Sequence, residues 1–360
     1  MTEAAEGGGA TAAGALAGAF GLADADLLAM FRTMALARAL DERMWVLNRS
    51  GRAPFVISGQ GHEGAQVGIA WPLRRDHDWV APFYRSIATC LVAGMTPREL
   101  MLAQFARASD PSSGGRQMPG HYGHPGHHVV SVSSPVATQI LHAAGIALAA
   151  RIRGVDEVAM AIMGEGSSNQ GDVHEALNFA AIHRLPFVFV VENNGYAISV
   201  PAEKQLSVKD VAARAAAYGI PGVVVDGTDV LGCYAAAREA VDRARRGVGP
   251  SLIEAKVTRL TGHSSDDQQT KYRSEEELAE TRARDPLPIF RARLRDAGVL
   301  DDAAEAALAR EVTAAVEDAT SFAEAEPDPD PSTGVDHVYG DPAAAEPPPP
   351  WHPAARGSLG

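Results

Sequence analysis

The chain has 360 residues, 46% of them hydrophobic, and a formal net charge of −13. That is ample material for a buried core, while the charge argues against nucleic acid and anionic membrane as partners. No apolar run reaches the length of a membrane span.

Residues 1–21 are rich in Ala and Gly and carry no basic side chain, which predicts a disordered tail rather than a signal or transit peptide. Leu27, Phe31, Met34, Ala37, Leu40, Met44 and Leu47 then recur at helical spacing, with Gly51 as the stop. A short extended piece from Trp79 to Phe83 ends at Tyr84-Arg85. The Ala-rich stretch from Val136 to Ala150, with Gly145 at its centre, reads as a helix whose small face suits a subunit interface. Val158 to Met163 and Phe187 to Val191 are apolar runs of strand length, and the helical pattern Val173 to His183 lies between them. Gly222 to Val225 and Ser251 to Val257 read as further buried strands, joined by a helix from about Asp229 to Arg246. From residue 326 the chain turns to Pro, Asp and Ala and ends near Pro347-Pro348-Pro349-Pro350-Trp351, an extended or disordered tail.

This alternation predicts an α/β fold: a parallel sheet with helices on both faces, forming one domain over residues 22–325. Cys90 and Cys233 each sit inside an apolar segment, as buried thiols do, and the chain reads as a cytoplasmic protein.

The most telling stretch lies at the ends of the two central strands. Gly164-Glu165-Gly166-Ser167 follows the first and Glu192-Asn193-Asn194-Gly195-Tyr196 closes the second, so both turns stand at the carboxyl edge where open α/β sheets collect ligands. Glu165 and Asn194 offer hard oxygen ligands suited to Mg²⁺ in the company of phosphate oxygens. Gly164 and Gly166 let backbone approach a ligand, and the helix entered at Asp172 aims free N–H groups at the same region. Each piece alone is an ordinary turn. A dinucleotide loop does not fit, because Asn169 occupies the place of its third glycine.

Together the two turns resemble the thiamine diphosphate motif, with residues 167 to 192 filling the gap between its halves. The resemblance continues through Gly114-Gly115-Arg116-Gln117-Met118-Pro119-Gly120-His121-Tyr122-Gly123, Ser133-Ser134-Pro135-Val136-Ala137-Thr138-Gln139 and Gly262-His263-Ser264-Ser265-Asp266-Asp267. Over about residues 25–325 the chain is similar to α subunits of the decarboxylating component of branched-chain 2-oxo acid dehydrogenase.

That resemblance implies roles residue by residue. Glu165, Asn194 and the backbone carbonyl of Tyr196 match the Mg²⁺ ligands. Tyr84 and Arg85 match phosphate contacts, with Phe83, Ser134, Val136 and Ile198 packed around the cofactor and Gly164, Gly166 and Ser167 in the motif turn. Ser133, Pro135, Thr138 and Gln139 match a K⁺ site, although on their own terms Ser-Ser-Pro before a helix is an N-cap. His263 matches a catalytic histidine in a loop that reads as flexible and acidic, near the cofactor phosphates, where it assists handover to the lipoyl group. Ser264 matches a position phosphorylated in animal relatives.

The implied assembly is an α2β2 heterotetramer in which a β subunit supplies the carboxylate that activates the cofactor. The implied reaction is oxidative decarboxylation of a branched 2-oxo acid, with acyl transfer to the lipoyl domain of the acyltransferase core. Pyruvate or acetoin dehydrogenase is the neighbouring reading, and a non-catalytic paralogue a remote one that intact Glu165, Asn194 and His263 oppose. One departure stands out: animal relatives have Arg where this chain has Glu192. A carboxylate at close range would repel a phosphate, so either Arg85, Mg²⁺ and His263 compensate or Glu192 points away. Four histidines within residues 121–128 suggest a loop near the entrance more than a zinc site, for want of a Cys partner.

Overall fold

The computed structural model describes residues 12–336 and residue 338. Its central sheet has five parallel strands in the order β1-β2-β3-β7-β6: β1 (Trp79–Ala81), β2 (Ala159–Gly164), β3 (Phe187–Asn193), β6 (Gly222–Asp226) and β7 (Ser251–Lys256). A small antiparallel pair, β4 (Tyr196–Ala197) and β5 (Val200–Pro201), follows β3.

Two-residue alternation sorts the strands between two cores. Met160, Ile162, Val188, Val190, Ile253 and Ala255 face one layer, which holds the long helix Asp24–Arg49 and the helices Glu63–Ala70 and Val230–Arg245. Ala161, Met163, Phe187, Phe189, Val191 and Leu252 face the other, with the helices Thr138–Arg153 and Gly171–Ile182. Burial on both faces is why β2, β3 and β7 read as continuous apolar runs. The expected helix stop holds, since Gly51 sits at φ +72°. Both cysteines are buried, and burial pushes their thiols up.

Three expectations change. β6 is not buried: it is a sheet edge, bonded only to β7, with Val223 and Val224 exposed. The N-terminal segment is not wholly a tail, because Ala12–Gly18 is helical and Ala17 is buried in the core; residues 1–11 lie outside the described residues. The C-terminal segment starts as a strap rather than a free end. Pro327 O accepts from Ala108 N at 3.1 Å, and Thr333 O accepts from the Arg116 guanidinium. The Pro-rich run ending at Trp351 lies outside the described residues.

Gly145 is exposed with open space where a Cβ would stand, while Ala143, Ala144 and Ala147 on the same helix are buried. The outer face of the Thr138–Arg153 helix is therefore uncovered in this chain. No helix among the described residues is long and apolar enough to cross a membrane.

Candidate active site at the carboxyl edge of the sheet

β2 and β3 run in register so that Gly164 pairs with Glu192, which brings the turns after both strands to one edge. A cavity of about 380 Å³ opens there. Phe83, Tyr84 and Arg85 line it from the segment after β1, and Gly164, Glu165, Gly166 and Ser167 from the turn after β2. Asn194, Tyr196 and Ile198 contribute from the segment after β3. Ser134 and Val136 enter from the loop before the Thr138–Arg153 helix, and His263 from the loop after β7. Every residue assigned from sequence to the cofactor is thus brought to one place. Ala197 also lines the cavity and was not expected.

Glu165 is the most telling side chain. It is 1% exposed, and burial raises its carboxyl above the usual range despite hydrogen bonds from its own backbone, Asn194 and Gln205. Its side-chain partner is Gln205 Nε2 at 3.3 Å, and among the described residues no Lys or Arg forms an ion pair with it. A buried carboxylate whose hydrogen-bond donors are all neutral fits a divalent cation. The glycines on either side behave differently. A Cβ on Gly166 would meet Ala197 Cβ at 2.6 Å, so that glycine permits the β4–β5 hairpin to close over the turn. A Cβ on Gly164 would meet open space, which is cavity volume available to a ligand.

Arg85 is 1% exposed, and its guanidinium donates to Ser58 O at 2.5 Å and to His263 O and His263 Nδ1 at 2.9 Å each. A guanidinium can only donate, so Nδ1 of His263 is the acceptor and Nε2 carries the hydrogen. Burial first, then the charges of Arg85 and Arg259, depress the His263 imidazole to about 4. The ring is therefore neutral at physiological pH and offers one N–H donor. Arg259, which sequence reasoning missed, is 1% exposed and donates to Ile198 O at 2.8 Å and Tyr272 Oη at 2.7 Å. Arg85 lines the cavity, and Arg259 is near enough for its charge to act on both Glu165 and His263, so positive charge stands where a diphosphate requires it.

The loop carrying His263, expected to be flexible, is tied down. Asp267 Oδ2 accepts from His263 N at 2.6 Å and from Tyr272 Oη at 2.5 Å, and Ser265 N donates to Val56 O at 2.8 Å. Ser264 is buried.

The helix Gly171–Ile182 does not line the cavity with its first turn, because the 3₁₀ turn Gly166–Asn169 intervenes. Nor does Ser-Ser-Pro cap the Thr138–Arg153 helix. The N-cap is Ala137 in a left-handed conformation, φ +75°, and Ser134 Oγ instead donates to His121 Nε2 at 2.7 Å. That direction follows because His121 Nδ1 must donate to Met118 O at 3.0 Å. Of the residues matched from sequence to a K⁺ site, Gln139 donates through Nε2 to Ile162 O at 3.0 Å while its Oε1 is buried without a partner among the described residues.

The four clustered histidines part company. His121 joins the cavity wall through Ser134, and His128 stacks on Trp79 with ring centroids 4.1 Å apart. Glu99, His124 and His127 stand close enough to hold a metal ion. However, His127 N donates to His124 Nδ1 at 3.2 Å, which puts the ring hydrogen on the Nε2 that faces Glu99 at 3.2 Å. The ring as bonded has no lone pair to give a metal.

Glu192 points away from the cavity, into the opposite layer, where its Oε2 lies 2.5 Å from His62 Nδ1. The repulsion expected for a phosphate does not arise.

The profile of the dehydrogenase E1 component family matches residues 31–332. The chain belongs to that family. Its chemistry depends on thiamine diphosphate, and its α subunits work with a β subunit. The chain is 52% identical over 321 residues to the 2-oxoisovalerate dehydrogenase subunit alpha of Bacillus subtilis (strain 168), covering 89% of this chain and 97% of the relative. It is 42% identical to the 3-methyl-2-oxobutanoate dehydrogenase subunit alpha of Mycobacterium tuberculosis (strain ATCC 25618 / H37Rv), over 75% of this chain and 71% of the relative. Against the pyruvate dehydrogenase E1 component subunit alpha of Staphylococcus aureus (strain MW2) the identity is 38%, over 78% and 73%.

Proposed function

We propose that this chain is the α subunit of a branched-chain 2-oxo acid dehydrogenase, which holds the diphosphate and Mg²⁺ of thiamine diphosphate and acts on acids such as 3-methyl-2-oxobutanoate. The observation that carries the site is Glu165, a buried carboxylate without a cation partner among the described residues, in a cavity that Asn194 and Arg85 also line. Glu165, Asn194 and the Tyr196 carbonyl hold the metal. The segment Tyr84-Arg85 and the His263 N–H serve the phosphates, and Gln139 with Ser133, Pro135 and Thr138 accounts for K⁺.

Bound there, the cofactor supplies a carbon nucleophile and an electron sink for decarboxylation. The protein's own contribution is positioning. Arg85 fixes one tautomer of His263, so a hydrogen-bond donor stands ready at Nε2 without changing its charge between pH 6 and 8. Tyr84 packs edge-on to that ring, with centroids 6.1 Å apart. The carboxylate that activates the cofactor comes from the β subunit of an α2β2 tetramer, and the acyl group leaves on the lipoyl domain of the acyltransferase core.

The branched-chain substrate is favoured over pyruvate by the 52% identity to the Bacillus subtilis protein against 38% to the Staphylococcus aureus one. The test is reconstitution. The chain alone should not turn over 3-methyl-2-oxobutanoate with an artificial electron acceptor, and the chain co-purified with its β partner should. Activity of the isolated chain would contradict the division of labour proposed.

A further inference from the structure

The His62–Glu192 contact has a consequence for Asn194, and it rests on the reading of Asn194 as a metal ligand. His62 and Glu192 are 0% and 1% exposed, deep in the layer behind β3. Glu192 Oε2 accepts from Gln66 Nε2 at 3.1 Å as well as from His62 Nδ1. Gln66 is itself fixed, because its Oε1 accepts from Ala88 N at 3.2 Å and its Nε2 also reaches Arg85 O at 3.0 Å. With Nδ1 donating to the carboxylate, a neutral His62 ring turns a lone pair outward at Nε2.

Asn194 Nδ2 lies 3.4 Å from that Nε2 and donates to it. At the other end of the amide, Asn194 Oδ1 accepts from Tyr196 N at 3.1 Å. The two contacts agree on one orientation of the amide, with nitrogen against His62 and oxygen against the backbone of Tyr196, which also lines the cavity. A backbone N–H alone would leave the amide plane free to tilt, and the imidazole removes that freedom. The chain of contacts runs from carboxylate to imidazole to amide, with the charge at the end that does not line the cavity.

We infer that His62 is a positioning residue, braced by Glu192, that orients Asn194 so its Oδ1 is presented to the divalent cation. Glu192 then has a purpose as the anchor of the imidazole, and the acidic residue before Asn193-Asn194 is compatible with a diphosphate because of His62.

The test measures Mn²⁺ binding by electron paramagnetic resonance, in the chain co-purified with its β partner and saturated with thiamine diphosphate. Outer-partner substitutions at metal sites typically cost about 10- to 100-fold in affinity, and His62→Leu should fall in that range. His62→Gln, which keeps one donor and one acceptor, should stay within about threefold of the unmodified protein on the same scale. If His62→Leu binds Mn²⁺ as the unmodified protein does, or if His62→Gln loses as much as His62→Leu, the inference is overturned.

Asn194→Ala separates this inference from the reading beneath it. Loss of Mn²⁺ in Asn194→Ala with full binding in His62→Leu removes only the role of His62, whereas full binding in both removes the metal site. Should His62→Leu fail to fold, Glu192→Gln replaces it. That change frees His62 to take either tautomer and should weaken Mn²⁺ by about tenfold, the low end of outer-partner effects. Unchanged binding there overturns the inference equally.

Discussion

Arg85 and His263 meet through a 2.9 Å hydrogen bond from the guanidinium to Nδ1, and this contact sets the tautomer of the imidazole and, together with burial, keeps it neutral. The two residues are far apart in sequence, and the arginine is far more buried than the histidine it serves. Removing the arginine's charge should let the histidine titrate nearer its ordinary range. In Arg85→Gln, the His263 imidazole should titrate well above its value of about 4 in the unmodified protein. NMR titration of the imidazole in the assembled tetramer reads this directly, and an unchanged value would show that burial alone sets it.

The same depression has a stability consequence. Folding lowers the His263 value from 6.5 to about 4, so above pH 6.5 the ring is neutral in both states and contributes nothing. As pH falls from 6.5 toward 4, the unfolded chain takes up a proton that the folded chain refuses, and stability is lost through that window. His263→Asn should remove this part of the acid sensitivity while lowering kcat by about 10²- to 10³-fold, as loss of one preorganised donor does. Denaturant melts at pH 7 and pH 5 provide the check.

Gly164 and Gly166 should separate cofactor space from fold. Gly164→Ala places a Cβ in open cavity, so its melting temperature should stay put while thiamine diphosphate binds more weakly. Gly166→Ala drives a Cβ into Ala197 and should cost about 1–3 kcal/mol, as overpacking does. Thermal melts with and without cofactor distinguish the two outcomes.

Glu165→Gln should split stability from metal binding. The amide keeps the shape and drops a charge whose burial is unfavourable, so the cofactor-free protein should be at least as stable as the original. Its Mg²⁺-dependent gain in melting temperature should disappear. A retained gain would remove Glu165 from the metal site.

Much of this was legible in the sequence because it rests on local pattern. β2, β3 and β7 announce themselves by being apolar throughout, and the turns after β2 and β3 carry residue types that suit a metal and a phosphate. β6 has the same apolar spelling but lies at the edge, and sheet order is not written in a strand's own residues. His62 and Gln66 were missed because their meaning depends on Glu192, which pairs with them across the layer. Arg259 was missed for a similar reason, since its partners Ile198 and Tyr272 are brought to it by two separate loops. The helical segment Ala12–Gly18 looked like part of a tail because an Ala/Gly run has no periodicity until a core such as the one around Ala17 gives it a face.

Comparing kcat/KM for 3-methyl-2-oxobutanoate and pyruvate, with this chain co-purified with its β partner in thiamine diphosphate and Mg²⁺, decides the branched-chain assignment. A pocket that discriminates by size separates acids by about 10- to 200-fold per methylene, and the account predicts a preference of that order for the branched acid. A preference for pyruvate would contradict the branched-chain assignment and place the chain with pyruvate dehydrogenase α subunits.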